Sequence, residues 1–146
     1  MIWEISIREM RVEDAWAVAD IEQLITKSTH KIDFKSLIEE QIQKKNGISY
    51  VATVENRVVG YMICYILQAG FGIEKSAWIA SLGVDPRYMG QGIGKRLANK
   101  VMETCKEKNL RYVFTSVRWD SVDLLSFFKT LGFDRSDFIN LQKMLD

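Results

Sequence analysis

Apolar residues change their spacing several times along the chain, and each change marks an element. Ile2, Ile5 and Ile7 alternate imperfectly with polar neighbours, which predicts a strand over residues 2–8. Ala15, Val18, Ile21, Leu24 and Ile25 then recur three or four residues apart, the period of a helix over residues 12–25. A second helix is expected after Asp33, whose carboxylate suits an N-cap; Leu37, Ile38 and Ile42 form its apolar stripe, and Asn46 and Gly47 end it. Residues 48–54 and 58–67 are rich in β-branched and aromatic side chains and read as a hairpin turning through Glu55, Asn56 and Arg57. After a loop at 68–72 come a strand at 76–84 and a helix at 94–108, with Leu97, Ala98, Val101, Met102 and Cys105 on its inner face. A strand at 111–117, a helix at 121–130 stopped by Gly132, and a last strand at 138–144 complete the order β, α, α, β, β, β, α, β, α, β.

The join between the 76–84 strand and the following helix carries the chemistry. Gly90, Gly92 and Gly94 remove side chains where a ligand would touch backbone, and a helix beginning there aims unpaired N–H groups and its positive dipole end at the same point. Such a turn suits a pyrophosphate. A dinucleotide fingerprint GxGxxG begun at Gly90 would require glycine where Lys95 stands, and no acid lies about 20 residues further on, Asp120 being too distant. A P-loop needs four residues between its first glycine and a Gly-Lys pair followed by Ser or Thr. Here only Gln91, Gly92 and Ile93 intervene, and Arg96 follows Lys95.

The string VDPRYMGQGIGKRL resembles the acetyl-CoA loop of the GNAT N-acetyltransferase superfamily, V-x-P-x-[YH]-[RQ]-[GRN]-x-G-[IVL]-[GA]-x-x-L. The run SVDLLSFFKTLGF is similar to that family's late helix and turn, N-x-x-A-x-x-[LF]-[YF]-x-x-x-G-F, and the element order matches over nearly the whole chain. The resemblance implies one domain over residues 1–146, an α/β (α+β) fold with a mixed, mostly antiparallel sheet flanked by helices, and acetyl-CoA as cosubstrate. It puts the cofactor on Leu82, Gly83, Val84, Met89, Gly90, Gln91, Gly92, Ile93, Gly94, Lys95, Ser121 and Phe128. Met89 replaces the basic or amide residue that usually begins the loop signature, removing one side-chain contact to phosphate; Lys95 or Arg96 supplies charge nearby. Ser121 stands for the usual Asn, and Phe128 for the Tyr that protonates the departing thiolate in many relatives; Phe128 has no proton to give. Thiols have a pKa of about 8.5, so unassisted departure is a modest penalty.

The resemblance also implies that the strand at Ser81 to Val84 diverges from the 111–117 strand and that the pantetheine arm pairs with the backbone in the gap. A backbone N–H near Leu82 would then polarise the acetyl carbonyl as negative charge develops. The acceptor amine must lose a proton, and Asp120 and Glu74 are the candidate bases, each with a plainer reading: a helix-cap or turn residue for Asp120, a solvated loop acid for Glu74. His30 is a substrate contact or a surface residue. Trp78, Trp119, Tyr61, Tyr65 and Phe71 could line an acceptor cleft, although core packing explains most of them; Trp119, beside Asp120, is the one placed toward the site.

Composition narrows the setting. A chain of 146 residues buries enough surface to fold without staples, and 47% hydrophobic with 27% charged residues is ordinary for a globular domain. The net charge of +1, with basic and acidic residues interspersed apart from a small cluster at Lys27, His30 and Lys31, gives no electrostatic case for nucleic acid. The opening MIWEISIREM lacks an apolar signal-peptide core, and no run approaches a membrane span, so a cytoplasmic protein without membrane association is expected. Cys64 and Cys105 read as reduced core residues and not as a disulfide, metal pair or nucleophile. The acceptor stays open between a small-molecule amine and a protein amino terminus or lysine, although TSVRWDS is loosely similar to relatives that modify ribosomal protein termini. A homodimer is open as well, and a non-catalytic acyl-CoA-binding regulator is the competing class.

Overall fold

The computed structural model describes residues 3–26, 32–68 and 70–146. Five strands form one sheet in sequential order: β1 (Ser6–Glu9), β2 (Tyr50–Val54), β3 (Arg57–Leu67), β4 (Ser76–Val84) and β5 (Val113–Thr115). The first three pairings are antiparallel, while β4 and β5 are parallel and therefore need a crossover, which α3 (Ile93–Glu107) supplies. Helices α1 (Ala15–Thr26) and α2 (Phe34–Gln43) cover one face of the sheet; α3 and α4 (Val122–Thr130) cover the other.

Two apolar clusters follow from this layering. Val51, Tyr61 and Ile63 point toward α1 and α2 with Val18, Ile21, Phe34 and Ile38, whereas Tyr50, Ala52, Met62 and Cys64 point toward α3 with Leu97, Ala98, Val101 and Cys105. β2 is buried at all five positions because both its faces are covered. The hairpin turn is two residues, Glu55 and Asn56, both at positive φ, so Arg57 already belongs to β3. Asp33 caps α2 as expected, accepting from the Ser36 N–H at 3.1 Å. At the opposite corner Arg8 donates two 2.8 Å bonds to the Asp14 carboxylate, which also accepts the Arg11 N–H at 2.7 Å, fastening β1 to the turn before α1.

Several expectations need correction. The stripe of α2 is carried by Phe34 and Ile38, while Ile42 is 49% exposed. Residues 138–144 form no strand: the backbone beyond Phe133 makes no backbone-to-backbone hydrogen bond, and Ile139, Leu141 and Met144 are over 80% exposed. Alternating apolar residues signal a capacity to pair, but a strand exists only where another backbone meets it. Lys27, His30 and Lys31 lie outside the described residues, as does Ile2.

Candidate active site

The gap expected beside the central strand is built into the sheet. β5 pairs with β4 only at Ala77, Trp78 and Ile79, and a 3.0 Å bond from Thr115 Oγ1 to the Ile79 carbonyl is the last tie between them. At that point β4 carries an extra residue: Ile63 faces Ser81 but Cys64 faces Ile79, so Ala80 bulges. The bulge bends β4 where β5 leaves it, and the stretch from Ala80 to Val84 keeps β3 as its only strand neighbour. Asp85 gives its N–H to the Val59 carbonyl on the β3 side at 2.8 Å. By the alternation of an antiparallel ladder, Leu82 and Val84 therefore turn their N–H and C=O groups into the gap.

The turn that follows is anchored by a residue that sequence reasoning passed over. Asp85 is buried, and its carboxylate accepts from the Arg87 N–H at 3.0 Å, Nε at 3.1 Å and Nη2 at 2.7 Å. The Arg87 guanidinium outweighs the cost of burial and holds this carboxyl below the usual range. A short 3-10 turn (Pro86–Tyr88) leads to Gly90 and Gly92 at φ 82° and 75°, values that only glycine adopts without strain. A Cβ at either would meet no protein atom within 4 Å, so the space above them is open. Gly94 differs: its absent Cβ would lie 3.2 Å from the Phe127 ring, so the lack of a side chain there serves the packing of α3 on α4.

α3 starts at Ile93, one residue earlier than expected. The first N–H with a partner inside the helix is that of Arg96, bonded to the Gly92 carbonyl at 3.0 Å, leaving Ile93, Gly94 and Lys95 to present theirs at the helix mouth. Arg96 is committed elsewhere, giving Nη1 to the Ile5 carbonyl at 2.9 Å, whereas Lys95 is exposed without an ion pair among the described residues. Gln91 is exposed and Met89 is 56% exposed at the loop surface. The mouth of α3 and the free edge of β4 thus each present unpaired backbone groups, the arrangement that could hold a phosphate at the one and an extended arm along the other.

The two candidate bases fare differently. Glu74 lies before β4, separated from the gap by the paired Ala77–Ile79 stretch, and contacts Arg111 at 3.4 Å. Asp120 lies past the end of β5 and receives two 3.0 Å bonds from Arg118, which lower its pKa. Ser121 is the N-cap position of α4, although its side chain makes no cap bond. Phe128 is 4% exposed between Phe127 and Phe133, with ring centroids 5.2 and 5.1 Å away. Trp119 is 86% exposed just past the end of the gap.

On the α1 side of β4 the structure gathers residues that the sequence did not single out together. α1 lies so close that a Cβ on Gly83 would fall 2.8 Å from Ile25 Cδ1 and 2.9 Å from the Tyr61 ring. The Tyr61 hydroxyl bonds Ser81 Oγ at 2.9 Å, and burial together with the nearby Glu22 carboxylate raises its pKa. Glu22 is one of two acids in α1, and the seating of α1 on Gly83 brings its charge within reach of Tyr61, while its Oε1 accepts from the Thr26 hydroxyl at 3.2 Å. Cys64 and Cys105 are buried free thiols, and contact with Cys105 together with burial keeps Cys64 protonated.

Comparison with known proteins is consistent with this geometry. The model of the Acetyltransferase (GNAT) family matches residues 15–133. An uncharacterised N-acetyltransferase of Methanocaldococcus jannaschii is 33% identical over 92 residues, 62% of this chain; that alignment takes in 40% of the relative, so the chain spans less than half its length. A putative ribosomal protein bS18-alanine N-acetyltransferase of Bacillus subtilis is 27% identical over 127 residues, covering 87% of this chain and 79% of the relative. Among solved structures, an aminoglycoside N-acetyltransferase in complex with CoA superimposes with a TM-score of 0.82 over 99% of this chain and 97% of its own, at 15% identity, a likeness of fold.

Proposed function

The chain belongs to the GNAT acetyltransferase family, and from that premise we propose that it transfers the acetyl group of acetyl-CoA to a primary amine of a small molecule or protein by direct attack. The observation that carries the reading is the unpaired edge of β4 from Ala80 to Val84, lying next to the bare N-terminus of α3. The N–H groups of Ile93, Gly94 and Lys95, with Gly90 and Gly92 leaving the approach open, would hold the pyrophosphate, and Lys95 would add charge. The gap-facing N–H and C=O groups of Leu82 and Val84 would pair with the pantetheine amides. When bound, acetyl-CoA supplies the activated acyl group; the chain's part is to orient it, keep its carbonyl beside a backbone N–H, and take a proton from the amine.

Of the carboxylates near the gap, Glu22 is the proton acceptor this reading favours. Its charge reaches Tyr61, which bonds Ser81 on the gap strand, and its Oε1 accepts only from the neutral Thr26 hydroxyl at 3.2 Å, whereas Asp120 is held by two bonds from the Arg118 guanidinium. With Phe128 at the position of the family's tyrosine, the thiolate leaves unassisted or through water. The alanine N-acetyltransferase relative makes a protein amino terminus a natural acceptor to try beside small amines. A second copy of the chain is a further partner. No helix among the described residues is long and apolar enough to cross a membrane, which accords with a cytoplasmic setting.

Calorimetric binding of acetyl-CoA, in parallel with thiol release against amines and amino-terminal peptides, tests the proposal. Binding with acceptor-dependent release is expected; binding without release across the panel would favour an acyl-CoA-binding regulator, and no binding would refute the reading. Glu22→Gln should lower kcat/KM at least tenfold with acetyl-CoA affinity unchanged, and more than Asp120→Asn does.

A further inference from the structure

Building on the acetyl-transfer reading, we infer that Tyr61 donates its hydroxyl proton to Ser81 Oγ, and that the Ser81 hydroxyl so held binds and orients the acceptor amine. Tyr61 is fully buried, and among the described residues its hydroxyl has a single partner, Ser81 Oγ at 2.9 Å. Either oxygen can donate in such a pair, but the two choices differ in cost. With Ser81 as donor, the Tyr61 proton would point into the apolar cluster it shares with Phe34 and Ile63, and an unmade buried bond costs more than a made one gains. Ser81 is half-buried and escapes that penalty. Tyr61 is therefore the donor, and burial together with the Glu22 charge keeps its proton in place. The Ser81 hydroxyl is left with a lone pair and its own proton uncommitted.

The register of the sheet places that hydroxyl where an acceptor must pass. Ser81 pairs with Ile63 and Gly83 with Tyr61, and cross-strand partners share a face, so Ser81 Oγ stands on the α1 face of β4. The next residue, Leu82, turns its N–H into the gap, where the thioester carbonyl would lie. The other face of the gap strand is closed, because the Leu82 and Val84 side chains pack into the cluster of Leu97 and Phe128 beneath α3 and α4. An amine therefore reaches the thioester from the α1 face, alongside Ser81. There Ser81 Oγ accepts one amine N–H and aims the nitrogen lone pair at the carbonyl carbon. The N–C bond forms as the C–S bond breaks with its electron pair on sulfur. The protons shed by the amine pass to Glu22 and to the departing thiolate or water, and Ser81 exchanges no covalent bond. Tyr61 acts only through Ser81 and is a positioning residue.

Steady-state kinetics with n-butylamine and an alanyl tripeptide as acceptors, beside calorimetry with acetyl-CoA, test the assignment. Ser81→Ala should raise the acceptor KM about tenfold, with a smaller fall in kcat and unchanged acetyl-CoA affinity. Tyr61→Phe should raise that KM about threefold, and added to Ser81→Ala it should raise it no further. The double variant removes both partners of the bond together, so it stays folded even if Ser81→Ala, which orphans the buried Tyr61 hydroxyl, melts early. In the wild type, a slowly exchanging Tyr61 hydroxyl proton should show a nuclear Overhauser contact to the Ser81 β-protons. An active wild type whose acceptor KM is indifferent to Ser81→Ala, additive effects of the two substitutions, or a bonding proton that belongs to Ser81 would each overturn the inference and leave the transfer reading standing. A wild type that binds acetyl-CoA and acetylates neither acceptor would count against the transfer reading itself and remove the inference with it.

Discussion

Gly92→Glu separates the ligand-binding part of the α3 turn from its structural part. At φ 75° any side chain incurs left-handed strain, about 1 kcal/mol, and since a Cβ there meets nothing within 4 Å no steric cost is added. For a domain of this size that lowers the melting temperature by about 2–4 °C. If a pyrophosphate sits over the turn, a carboxylate about 4 Å from a phosphate oxygen repels it by about 4 kcal/mol at an effective dielectric of about 20. Salt screening leaves about 2–3 kcal/mol, roughly 100-fold in affinity. Calorimetry should therefore show acetyl-CoA binding weakened by about two orders of magnitude in a protein that melts only slightly early. Gly94→Ala should show the reverse: its Cβ meets Phe127 at 3.2 Å, so stability drops while affinity changes less than threefold. A Gly92→Glu protein that is folded and binds acetyl-CoA within threefold of wild type would refute the placement of the pyrophosphate.

Other consequences are more local. The Asp85 carboxyl is more acidic in the folded chain, where Arg87 bonds it; so is that of Asp14, where burial works against the Arg8 bonds but the bonds prevail. Groups with lowered folded pKa stabilise above their unfolded value of about 3.9 and lose that contribution as pH falls through the folded value. Urea midpoints should be level from pH 7 to 5 and fall below about pH 4, less steeply in Asp14→Asn. Arg8→Ala, which leaves the buried Asp14 carboxylate with only the Arg11 amide, should cost about 2 kcal/mol in urea unfolding at pH 7. Phe128→Ala opens a void between Phe127 and Phe133 and should cost about 3–4 kcal/mol in the same assay. Phe128→Tyr tests the missing acid: turnover should rise or its pH profile shift, and unchanged kinetics would mean that protonation of the thiolate is not limiting.

The divergence of β4 and β5 shows how function enters this sheet. Three residue pairs hold the strands together, one bulge bends β4 away, and α1 and α3 flank the unpaired edge that results, which under the proposed function receives the cofactor.

Periodicity and turn chemistry determined much by themselves. The β-branched and aromatic richness of β2 and β3, the helical stripe from Leu97 to Cys105, the Asp33 cap and the glycines before α3 are local patterns, set by which side chains a strand, helix or turn accommodates, and each was legible along the sequence. The tertiary structure decided whatever depends on partners distant in the chain. It set Glu74 at the end of β4 away from the gap, tied Asp120 to Arg118, seated α1 on Gly83 so that the Glu22 charge reaches Tyr61, packed Gly94 against Phe127, and left residues 139–145 unpaired. The physical reason is the same throughout. A residue's spacing fixes the face it occupies, but its hydrogen bonds and charge partners come from elements that only folding brings beside it.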